Sequence, residues 1–242
     1  MNVTETATAS APSSANPGLL ARIFGILVSP KETYAAVAAR PRWLGVMAIT
    51  LVIGAACQYI IFSSPGMQDA MVDQATRNPN VTDQQVEGIE RFISILPYVI
   101  SGAVLILGPL FSAIIAGILL LIFSTLMGGT ATFKQVFAVS AHSGVVSTLS
   151  GLVTAGLILV GAKPTGATPP GTNLGIFVPM LEETSFITNF LSSVDLILVW
   201  WILSLSIGLG VLYKRSTGGI ATSLICLYVV FALIVGFARS GS

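Results

Sequence analysis

Residues 92–133, FISILPYVISGAVLILGPLFSAIIAGILLLIFSTLMGGTATF, contain no charged side chain. A helix needs about 20 apolar residues to cross the roughly 30 Å hydrocarbon core of a bilayer, so this run is too long for one span. Pro97 and the Gly108-Pro109 pair interrupt it, and Gly128-Gly129 ends it. The reading that follows is a span over about 98–127, kinked at Pro109. Working outward, a run at 44–62 is entered through Arg40-Pro41-Arg42-Trp43, and further apolar runs occupy 136–161, 193–213 and 219–238. The sequence therefore predicts an all-α, polytopic bundle of five transmembrane helices over 41–242.

Composition agrees. Hydrophobic residues make up 54% of the chain and charged residues 9%, against about 25% charged in a soluble domain. So few charges cannot cover a water-facing surface, and the first expected partner is the lipid bilayer itself. The net charge of +1 argues against nucleic acid, which needs a strongly basic face. Cys57 and Cys226 lie inside apolar runs and form neither a disulfide framework nor a metal-ligand spacing. With the amino terminus inside, Arg22, Lys31, Arg40, Arg42, Lys134, Lys214 and Arg215 are cytoplasmic, whereas Arg77, Arg91, Lys163 and Arg239 are outside. That bias favours a cytoplasmic amino terminus and an external carboxyl terminus.

Outside the spans, residues 1–17 are rich in Ser, Thr, Ala and Pro and read as a disordered tail. Residues 18–40 read as two interfacial helices on the cytoplasmic face. In the first, Leu20, Ile23, Phe24 and Leu27 recur at helical spacing as one apolar stripe. The second opens on Ser29-Pro30-Lys31-Glu32, which supplies a cap, a proline at the first helical position and a glutamate at the third. In the first outer loop, Thr82-Asp83-Gln84-Gln85 is another capping box, starting an outer-surface helix that feeds the second span. Asn80-Val81-Thr82 has the form of a glycosylation sequon but reads as the approach to that cap. Residues 174–181 of the second outer loop are apolar enough to dip into the interface.

Polar residues within spans are the candidates for function. Asp195 follows Ser192-Ser193-Val194, so a serine cap with an acid at the third position is one reading, and proton or ion handling the other. His142 is the single histidine, which excludes a multi-histidine metal site or an HExxH motif. It points away from a face formed by Ser140, Ser143, Ser147, Ser150, Gly151 and Thr154, the small-residue seam that close helix packing in lipid requires. Its expected hydrogen bond is to a different neighbouring helix; pH sensing or transport is the alternative. Lys134, just before the third span, is the third candidate polar residue. Ser204-xxx-Gly208 and Ser206-xxx-Gly210 repeat the small-residue spacing, and at least one of Trp200 and Trp201 is expected to face a neighbour. No phosphate-binding loop, nucleophile elbow, paired intramembrane acids or cofactor motif is present, so no catalytic, metal or cofactor site is expected.

Three sets of residues together carry a family resemblance. They are Ser29-Pro30-Lys31-Glu32-Thr33-Tyr34 with Arg40-Pro41-Arg42-Trp43; Gly128 to Phe137 with Ala141-His142-Ser143; and Ser193-Val194-Asp195-Leu196 with Trp200, Gly208 and Lys214-Arg215-Ser216-Thr217. In their order and spacing the chain resembles a bacterial member of the Yip family of Ypt/Rab-interacting membrane proteins. The resemblance implies five spans, a cytoplasmic amino terminus and a place in the bacterial inner membrane. It departs from the family at His142, where members often carry an aromatic, and lacks a counterpart of the eukaryotic GTPase-contacting region, which argues against a Rab partner. Two functions are expected to compete: a non-enzymatic scaffold or accessory subunit with a membrane-protein partner or a second copy of itself, and a small transporter, channel or lipid scramblase.

Overall fold

The computed structural model describes residues 18–77, 80–126, 128–165, 168–178, 180–182 and 185–240. The expected tail at 1–17 and Met127, the expected end of the second span, lie outside the described residues. Nine α-helices are described: α1 Leu19–Val28, α2 Pro30–Ala39, α3 Leu44–Ser63, α4 Pro65–Ala75, α5 Asp83–Leu120, α6 Phe133–Leu159, α7 Phe186–Ser192, α8 Leu196–Tyr213 and α9 Thr217–Ser240. No strand occurs among the described residues. Five helices, α3, α5, α6, α8 and α9, are long and apolar enough to cross a bilayer. The chain is an all-α, multi-pass membrane protein.

α6 is the centre of the bundle. It packs between α3 and α8, while α5 lies on α3 and α6, and α9 lies on α8. Over half of its apolar window, 56%, is buried against protein, whereas the figure for α5 is 11%. The serines and glycines of α6 permit that approach. Successive spans connect at alternate ends. α1, α2 and the turns before α6 and α9 share one side, called here the amino-terminal side; α4, α7 and the 160–195 connection share the far side.

α5 departs most from expectation. The helix expected from the Thr82 cap and the span expected from about 98 form one helix, which starts at Asp83 and passes through Pro97 and Pro109 before a wider, π-type turn at Leu121–Leu126. At 1.5 Å per residue the 38 residues of α5 are roughly 57 Å long, about twice the hydrocarbon core. Proline removes one backbone hydrogen bond, but breaking the helix in lipid would strand several, so the helix persists. The capping box forms as expected, with the Thr82 backbone N–H donating to Gln85 Oε1 at 2.8 Å. α4 is additional; it begins at Ser64-Pro65, with proline at its first helical position.

The amino-terminal helices are not simply laid on a surface. Pro30 does open α2, but the Ser29 side chain makes no capping bond; instead Thr33 Oγ1 donates to the Ser29 carbonyl at 2.9 Å. Thr33, Tyr34 and Val37 are buried, because α2 packs into the groove between α6 and α8. Tyr34 is fully buried, and its hydroxyl pairs with Ser204 Oγ at 2.9 Å. Ser204 is the ninth of the eighteen residues of α8, so the contact reaches half-way along that span. Burial holds the Tyr34 phenol above its ordinary range, opposed by the Ser204 hydrogen bond, so it stays protonated. The stripe expected on α1 is split: Ile23 and Leu27 pack inward with the buried Ile26, while Leu20 and Phe24 are exposed. α1 is apolar on both faces because protein covers one and the membrane boundary is the natural cover for the other. Gln135 Nε2 donates to the Ala38 carbonyl at 3.1 Å, and the Trp43 and Phe137 rings meet edge-on at 4.8 Å. These contacts fix the helix pair to the start of α6.

Candidate functional site

The far half of the bundle holds a cavity of about 600 Å³ between α3, α5 and α6. Gly54 on α3, Gly108 on α5 and Gly144 with Gly151 on α6 line it; Gly144 faces open space, whereas Gly108 and Gly151 lie close against Leu51 and Cys57 of α3. Its wall carries Thr50 and Gln58 from α3, Ser112 from α5, and Ser147, Ser150 and Thr154 from α6. At the far-side mouth stand Pro169, Pro170 and Gly171 of the long connection, together with Asp195. From Thr50 to Phe62 the lining covers roughly 18 Å of helix rise, about half the hydrocarbon core. On the amino-terminal side of the cavity the bundle is filled by Val46, Met47, Val136, Val139, Leu205 and Leu209.

Asp195 is held by three of the bonds that follow, in a layout that differs from the expected one. Ser192 and Ser193 belong to the end of α7, and α8 starts at Leu196, so Asp195 is itself the N-cap. Its Oδ1 accepts from the Leu198 N–H at 2.9 Å, satisfying one orphan donor of the helix start. Oδ2 accepts from Thr172 Oγ1 at 2.7 Å. Its own N–H donates to the Tyr228 hydroxyl at 2.9 Å, and that hydroxyl donates to the Ser193 carbonyl at 2.9 Å. The cap lies three residues later than the serine reading puts it, on the acid itself. Two serines within three residues of an acid offer competing caps, and the acid won. Asp195→Ala is expected to cost about 1 kcal/mol and speed amide exchange at Leu198, whereas Asp195→Asn keeps the acceptor and holds exchange near wild type.

His142 is also bonded differently. It is fully buried, and its Nδ1 lies 2.7 Å from the Ala138 carbonyl, one turn back in its own helix, not on a neighbouring one. Nε2 has no hydrogen-bond partner. The carbonyl one turn back is the ring's hydrogen-bond partner. His142→Phe is expected to leave the thermal midpoint in detergent within the equivalent of about 1 kcal/mol of wild type; a loss of several times that would assign the ring a polar role.

The small-residue face of α6 divides into two uses. Toward the amino-terminal side, Ser140 and Ser143 are buried, and Ser143 Oγ accepts from Trp201 Nε1 at 3.1 Å while donating to the Ser140 carbonyl. Toward the far side, Ser147, Ser150, Gly151 and Thr154 line the cavity; Gly151 still admits Cys57 of α3 in van der Waals contact. Asp195 and this upper half are thus brought together. His142 and Lys134 are not among them: His142 sits in the core below, and Lys134 is exposed in the first turn of α6. Thr50, Gln58 and Ser112 escaped the sequence reading, although Gln58 is the one amide in the 44–62 run and Ser112 interrupts an aliphatic one. Tyr34, Thr172 and Tyr228 also escaped it, since their partners are distant in sequence.

No cluster of three or more His, Cys, Asp or Glu side chains able to hold a metal occurs among the described residues. Comparison with curated proteins and with solved structures returned no match. The Yip1 domain, however, matches residues 24–239. That interval begins within α1, takes in all five crossing helices and the cavity between them, and ends one residue short of the end of α9. The chain belongs to the Yip1 domain family.

Proposed function

We propose that the protein is a non-enzymatic scaffold or accessory subunit of a membrane assembly, seated in a bacterial inner membrane with its amino terminus cytoplasmic. One observation carries the reading. α2 is locked between α6 and α8 through Tyr34 and Ser204, so the amino-terminal half of the bundle is one closed body and the polar cavity ends blind against it. A closed body with a broad lipid-facing surface, above all the poorly covered α5, suits a part that organises neighbours. The partner is a second membrane protein or another copy of this chain. Cross-linking in native membranes followed by purification in mild detergent tests this: a defined heteromeric or homomeric species supports it, and recovery of monomer alone removes its basis.

A transporter or scramblase is the second reading, favoured by the hydroxyl-lined cavity reaching about half-way through the bilayer. Proteoliposomes discriminate. Flux of ions or labelled lipid above that of empty vesicles, lost on substitution of Asp195 and Ser147, would displace the scaffold reading.

A further inference from the structure

The cavity has a composition that selects among ligands. Its wall is rich in hydroxyls and carries a single carboxylate, Asp195, and no Lys, Arg or His lines it among the described residues. A carboxylate has about four lone-pair sites, and the two internal bonds to Asp195 use one on each oxygen. An acid at the mouth of a membrane-embedded cavity, with no cation beside it, attracts positive charge, and pairing lowers the cost of holding it there. The opposite choice, an anion, would face that carboxylate with no counter-charge in the wall. A divalent metal would need more than one acid, and no three-residue ligand group exists among the described residues. The volume of about 600 Å³ suits an organic molecule, since such sites commonly measure about 300–1,000 Å³.

We propose that this cavity is a receptor site for a small ammonium-bearing ligand, with the cation against Asp195 and the polar body along Gln58, Ser150 and Thr154. The apolar part of the ligand lies against Ile61, Phe62 and Val104, which also line the cavity. A primary ammonium joined to an oxygen-rich body is the headgroup chemistry of an aminophospholipid, and it is also that of a free amino alcohol in water. The site is a binding site only, and its occupancy does not depend on the protein having a scaffold partner.

The test uses the full chain, purified and delipidated in detergent. Phosphatidylethanolamine and phosphatidylglycerol are offered separately in mixed micelles, and ethanolammonium chloride in the aqueous phase, with bound ligand read by native mass spectrometry and by thermal shift. The expected result is retention of phosphatidylethanolamine, little retention of phosphatidylglycerol, and about a tenfold loss of affinity in both D195N and Ser147→Ile. The first removes the charge while keeping a cap acceptor; the second fills the cavity from α6, a helix turn or more from any Asp195 bond. Should D195N fail to fold, Ser147→Ile alone decides. Ethanolammonium binding as tightly as the lipid would make the soluble amine the source, and failure of ethanolammonium alone would make it the lipid. Equal retention of the two lipids, no retention of either amine, or binding indifferent to Ser147→Ile would overturn the proposal. Cross-linking of a partner is read separately, so failure here and failure of the scaffold reading are distinguishable.

Discussion

Tyr34→Ala is expected to lower stability by about 3 kcal/mol and to release α2 from the bundle. Large aromatic deletions in packed interiors cost about 3–5 kcal/mol, and the lower end is appropriate because lipid and detergent remove most of the hydrophobic term between helices. What remains is the lost packing against Val139 and Gly208 and the stranded Ser204 hydroxyl, half-way along α8. Tyr34→Phe isolates the second part: it keeps the ring and loses only the hydroxyl pair, for about 1 kcal/mol. Thermal midpoints in detergent measure both, and alkylation of a cysteine placed at the otherwise buried Val37 reports the release directly. Equal effects of the two substitutions would mean that the hydroxyl pair, and not the ring, holds α2.

Gly208→Val is expected to act from the other side of the same contact. A Cβ at this position would press on the Tyr34 ring, 2.9 Å away, and on the Val139 side chain, and neither can withdraw freely because both side chains are fully buried. Overpacking of this kind costs about 1–3 kcal/mol. Gly102→Val is the control, since nothing lies within 4 Å of a Cβ there, and it should leave the midpoint near wild type. The two predictions are coupled. In the double variant Tyr34→Ala with Gly208→Val, the space left by the ring accommodates part of the new side chain, so the combined loss should be smaller than the sum by about 1 kcal/mol or more. Strict additivity would show that Tyr34 and Gly208 do not share one contact.

The sequence displayed its membrane character plainly, because uncharged runs near 20 residues have few other uses. Chain stops were less legible. Pro97 suggests a boundary that the helix ignores, since ending a helix in lipid would strand more backbone groups than the one bond a proline removes. The α2 segment, PKETYAAVAA, gave no hint of burial. Only Thr33, Tyr34 and Val37 turn inward, and composition alone suits a surface helix equally well. The candidate site was half visible. Periodicity puts Ser147, Ser150, Gly151 and Thr154 on one face of α6, and all four line the cavity, but periodicity cannot say whether a small-residue face meets another helix or a void. That depends on what α3 and α5 bring opposite it, Thr50, Gln58 and Ser112 among them. Asp195 and His142 drew attention for good reason, yet their partners, Thr172, Tyr228 and a carbonyl one turn back, follow from three-dimensional placement.

The Tyr34–Ser204 pair joins residues 170 positions apart, and that separation orders events during synthesis. At about 5–20 residues per second, the ribosome makes Ser204 roughly 8–35 s after Tyr34. Helix α2 is thus among the first segments to emerge and among the last to find its seat, because the groove that receives it does not exist until α8 has entered the bilayer. Through that interval its tyrosine waits at the membrane surface, and its eventual disappearance marks a chain whose insertion has passed the fourth crossing.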